Sequence, residues 1–124
     1  MAARKVGRVL DTSPLIAAVE RFADRLRAAP QSRLQRGAAA QALELARELA
    51  AAAQRLEDPS GAAPARVMPD EGVFVVGDQV AVAGLDLAEA LRAAGTGPGR
   101  AKAPSEMLDE AVALVERAEV RAMR

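Results

Sequence analysis

Residues 70–94 read DEGVFVVGDQVAVAGLDLAEALRAA, and the period assigned to this stretch decides the fold. Read locally, Val73 to Val76 and Val80 to Val82 are β-branched runs on either side of Gly77-Asp78, the form of a β-hairpin turn. Read over the whole window, Val73, Val76, Val80, Ala83, Leu87, Ala90 and Ala94 step 3-4-3-4-3-4, an unbroken heptad seam. An isolated hairpin is marginal without a sheet to join, and no other stretch of the chain reads as a strand. The helical reading is therefore preferred. Its alternative is a small β-hairpin at about 73–83 followed by a short helix from Leu85. On the helix, Phe74, Val75, Val82 and Leu85 fall off the seam, which predicts an element apolar nearly all round and central in the fold. Gly77 and Gly84, seven apart, predict the close approach of a neighbouring helix, at ~1 kcal/mol each in helix propensity.

Upstream, Ser13 reads as an N-cap with Pro14 at the first helical position. Leu15, Val19, Phe22 and Leu26 then recur at helical spacing until Pro30. Ser32 and Gln35 have the spacing of a capping box. They open a second helix with the stripe Leu34, Ala38, Ala42, Leu45, Leu49, Ala52 and Leu56. Joined by two or three residues, these two helices predict an antiparallel hairpin. Asp58-Pro59-Ser60-Gly61 stops the second helix, and an Ala/Pro-rich linker leads to Pro69.

Downstream, the loop Gly95 to Arg100 precedes Ser105, which reads as the cap of a last helix striped by Leu108, Ala111, Val115, Ala118 and Ala122. Glu106, Asp109 and Glu110 lie early in that helix and Arg117, Arg121 and Arg124 late, the order that complements its macrodipole. The architecture expected is a basic N-terminal arm, 1–12, followed by a single helical domain, 13–124. That domain is all-α, a four-helix antiparallel bundle with helices at about 14–29, 33–57, 70–94 and 106–122.

Composition narrows the chemistry. Of the 124 residues 31 are Ala, and Leu, Ile, Val and Phe together make 28, enough for a modest core. With no Cys, His, Trp or Tyr, the chain has no thiolate nucleophile, His-based triad, imidazole ligand or broad aromatic platform for bases. The basic residues are 15 Arg and 2 Lys, which with the Ala, Gly and Pro content points to a GC-rich bacterial genome. The basic start has no apolar core behind it and no window reaches ~18 apolar residues, so a cytoplasmic protein without a membrane span is expected. Net charge is zero, but residues 1–57 carry 10 basic and 6 acidic side chains, +4, and residues 58–124 carry 7 and 11, −4.

No motif names an activity. The glycine-rich loop 95–100 matches neither a P-loop nor a dinucleotide fingerprint and reads as a connector. Ser13, Ser32, Ser60 and Ser105 all fall at caps or in the linker. Asp86 and Glu89 at i, i+3 lack the histidine partners of the di-metal bundles. Catalytic residues, cofactor and metal are therefore all expected to be none.

The residues singled out for partner binding are Arg25, Arg33 and Arg36 around the first interhelical turn, with Gln79 and Asp86 beside the seam. The function expected is that of a non-enzymatic interaction or assembly protein that self-associates, because Ala-rich stripes make a lean monomer core. The alternative is a small nucleic-acid-binding regulator using Arg4, Lys5, Arg8, Arg25, Arg27, Arg33 and Arg36. The partner expected is thus the chain itself or another protein, with nucleic acid second and no membrane.

Overall fold

The structure is a computed structural model in which residues 10–94 and 102–124 are described. The arm residues 1–9 and the loop residues 95–101 lie outside that description. Helix α1 is Ser13–Ala28. Helix α2 is assembled from Gln31–Arg33, a π-helical turn Leu34–Ala38, and Ala39–Glu57. Helices α3 and α4 are Val76–Ala94 and Pro104–Ala122. No strand occurs among the described residues, so the stretch around Gly77 is helix and the hairpin alternative falls. The four helices form a bundle around one core, as the apolar periodicity predicts.

The order of the helices around that core differs from the expected sequential hairpin. Helix α3 packs most extensively on α2 and next on α1, while α4 packs on α1 and α2 alike. Consecutive helices α1 and α2 instead face each other across the core diagonal. Cross-helix contacts give the directions. Gly77 lies against Ala23 and Leu26 and Gly84 against Val19, so α1 and α3 are antiparallel. Gln41 meets Arg121, whereas Leu49 and Ala52 share a groove with Met107 and Ala111, so α2 and α4 are antiparallel too. Helices α2 and α3 run parallel, Ala39 lying near Val76 and Leu49 near Leu87.

Parallel neighbours need a return connection, and residues 58–75 supply it. This segment runs back along α2 and is fastened at intervals. Gln54 Nε2 donates to the Pro64 carbonyl at 2.8 Å, and its Oε1 accepts the Arg66 N–H at 3.0 Å. Arg47 Nε donates to the Met68 carbonyl at 2.8 Å. The two-residue link between α1 and α2, Ala29-Pro30, is extended at both positions, and α2 runs back through the bundle on the far side of the core from α1 and not beside it.

The seam of α3 is where the heptads place it. Val76, Val80, Ala83, Leu87, Ala90 and Ala94 are all buried. The helix begins six residues later than expected, because Gly72 at φ +100 and its N–H bond to Asp70 Oδ1 at 3.0 Å make a turn there; Val73 stays outside it, half-buried. Nor is α3 central. Its burial widens through Gly77, Gly84, Ala88 and Leu91, towards α1, and Phe74, Val82 and Leu85 face outward. A Cβ on Gly84 would lie 2.5 Å from Val19 Cγ2, so the α1–α3 approach depends on glycine at that position.

Helix starts also shift. The caps are Thr12, Pro30 and Ala103, not Ser13, Ser32 and Ser105. Before α1, Asp11 Oδ1 accepts the Ser13 N–H at 3.0 Å, taking the capping role from one step earlier. Before α4, Pro104 holds Ala103 extended, and Glu106 Oε1 accepts the Ala103 N–H at 3.3 Å, half of a capping box. On α2, Ala53 is buried where Ala52 was expected, and Ala52 is half-buried.

Candidate anion-binding cleft

One end of the bundle gathers the end of α1, the start of α2, the start of α3 and the end of α4. There the antiparallel pairing of α2 with α4 brings Arg33 and Arg36 beside Arg121 and Arg124. The four arginines, with Gly37, Ala38, Gln41 and Ala122, line a cleft of about 500 Å³ that contains no Asp or Glu side chain. Two of the guanidinium groups are held by acceptors inside the cleft. Arg121 Nε donates to Gln41 Oε1 at 3.1 Å, and Arg33 Nη1 donates to the Arg124 carbonyl at 3.1 Å. Each of these two keeps further N–H donors, since a guanidinium carries five.

Gly37 shapes the cleft wall. Its φ of 146° and ψ of −21° break the helical path inside the π turn. Few L residues adopt that conformation, and π turns recur where a helix is bent for function. Beyond the adjoining turn of its own helix, nothing lies within 4 Å of the place a Gly37 Cβ would occupy, so the glycine is there for its backbone, not to make room for a neighbour.

The other residues singled out from sequence lie elsewhere. Arg25 Nη1 donates to Glu119 Oε2 at 2.9 Å and Arg21 Nε to Glu119 Oε1 at 3.3 Å. Glu119 is only 5% exposed, and these two arginines supply its counter-charge. Gln79 Nε2 donates to the Pro69 carbonyl at 2.8 Å, fastening the return connection to α3. Asp86 stands exposed on the outer face of α3. Arg27, one of the residues of the nucleic-acid alternative, donates through Nε and Nη2 to Asp78 Oδ1 at 3.0 and 2.7 Å. That carboxylate raises the Arg27 pKa above its ordinary value, first through the hydrogen bond and then through charge. Arg25 and Arg27 are thus engaged within the bundle, while Arg4, Lys5 and Arg8 lie outside the described residues.

Comparison with family models, with curated proteins and with solved structures gives no match. Reasoning from sequence missed Arg121, Arg124, Gln41, Gly37 and Glu119. The first two were read as macrodipole partners, and only the pairing of α2 with α4 places them beside Arg33 and Arg36. Among the described residues no group of three or more carboxylates converges, and no helix is long and apolar enough to cross a membrane. A second groove of about 300 Å³ between α2, α3 and α4 is lined mainly by apolar residues, among them Leu49, Ala52, Leu87, Met107 and Leu114.

Proposed function

We propose that this protein is a non-enzymatic helical interaction protein that self-associates through the outer face of α3. The observation supporting this reading is the exposure of large apolar residues there: Val82 is 54% and Leu85 45% exposed, with Phe74 75% exposed just ahead of the helix. The core beneath is lean. Among the described residues 27 apolar side chains are buried and 13 of them are alanine, so a second copy adds apolar burial that the monomer lacks. Antiparallel apposition of two α3 helices about a twofold axis sets Val82 of one copy against Leu85 of the other. Asp78 then falls opposite Glu89, with both carboxylates already neutralised by Arg27 and Arg92.

Sedimentation velocity with interference optics tests the reading, since the chain lacks Trp and Tyr for absorbance. The expected result is a dimer at tens of micromolar that becomes monomeric in Val82→Glu/Leu85→Glu, with helical circular dichroism unchanged. A wild-type monomer at about 100 µM overturns it.

A further inference from the structure

We propose that the four-arginine cleft binds a phosphate-class oxyanion, the phosphate or pyrophosphate group of a small molecule. The inference is independent of the α3 face, which lies on another part of the surface. Folding draws together four positive side chains from both ends of α2/α4 sequence space, positions 33, 36, 121 and 124, and provides no carboxylate side chain among them. Of the nine described cations outside the cleft, six, Arg21, Arg25, Arg27, Arg66, Arg92 and Lys102, each face a carboxylate. Like charges held together repel one another, and a bound anion relieves that repulsion.

The donor set has the chemistry of a phosphate site. Guanidinium groups present planar pairs of N–H donors that match two phosphate oxygens at once. The hydrogen bonds of Arg121 to Gln41 and of Arg33 to the Arg124 carbonyl fix two of the groups before any ligand arrives, which lowers the ordering cost of binding. The cleft volume of about 500 Å³ suits a small phosphorylated molecule. Gly37 leaves one wall without a side chain, so a ligand can come close to the backbone there.

The test is a titration of the full chain with inorganic phosphate, pyrophosphate and a short DNA duplex. Amide chemical shifts report the site, and calorimetry the affinity. The expected result is saturable 1:1 binding of pyrophosphate, more weakly of phosphate, with the largest shifts at Gly37, Gln41 and Ala122. Arg36→Gln/Arg121→Gln weakens it at least about tenfold, whereas the charge-matched control Arg55→Gln/Arg117→Gln changes it less than about twofold. Circular dichroism of both variants checks that the fold is kept. If Arg36→Gln/Arg121→Gln unfolds the chain, Arg36→Gln and Arg124→Gln singly take its place. Shifts that do not saturate, or that the control variant lowers equally, overturn the proposal. Binding of the duplex without binding of either small anion also overturns it, in favour of a nucleic-acid backbone.

Discussion

Gly84 is where a single atom decides how two helices meet. An added Cβ would come within 2.6 Å of both Val19 methyl groups, and Val19 is fully buried with a stiff β-branched side chain. Overpacking of this kind costs about 1–3 kcal/mol, against ~1 kcal/mol recovered from helix propensity. Gly84→Ala is therefore expected to destabilise the protein by up to about 2 kcal/mol in urea denaturation. Made in a Val19→Ala background, the same change should become neutral or stabilising. A cycle with no coupling between the two positions would place the contact elsewhere. The small residue at this position was legible in the sequence because its spacing from Gly77 matches one helix face. Which neighbour it admits was not, since that depends on the order of helices around the core.

At the scale of elements, the turn that ends α2 depends on one carboxylate. Asp58 accepts from the Ser60 hydroxyl at 2.7 Å and from the Ala63 N–H at 2.8 Å. These bonds hold its pKa below the ordinary carboxylate value, the Ser60 hydroxyl contributing most. A depressed folded-state pKa stabilises the fold above the unfolded-state value, and that contribution disappears as pH falls through the folded value. Asp58→Asn is thus expected to lower the melting temperature slightly at pH 7, and the difference should shrink progressively below about pH 4. A difference independent of pH would mean that the side chain acts through shape instead of charge.

The helices themselves were legible wherever a stripe of Leu and Val ran at helical spacing. Their starts were less so. Serines at plausible caps competed with neighbouring prolines and with Asp11, and the local backbone geometry favoured the earlier residue each time. The π turn at Gly37 was hidden altogether, because a lone glycine inside an apolar period reads as a mere loss of propensity. The arginine cleft followed from that turn and from a distant helix end, two facts that no local pattern joins.

Over the whole molecule, the opposite charges of the two halves of the chain meet inside one copy. Arg21 and Arg25 hold Glu119, and Arg27 holds Asp78, so the basic first half binds the acidic second half across α1–α4 and α1–α3. The same topology separates α1 from α2. A fragment covering residues 10–60 is therefore expected to be largely unfolded by circular dichroism, since neither helix lies beside the other. A helical, cooperatively melting fragment would restore the hairpin that short-loop reasoning predicts.

The return connection along α2 also sets a clock for synthesis. Helices α1 and α2 leave the ribosome first, and their apolar faces stay open until residues 58–94 follow and α3 docks between them. At translation rates of ~5–20 residues per second those 37 residues take roughly two to seven seconds. Through that interval the nascent chain presents two uncovered amphipathic helices to any chaperone, or to a sister chain on the same messenger. The arrangement that makes the finished bundle compact makes its birth exposed.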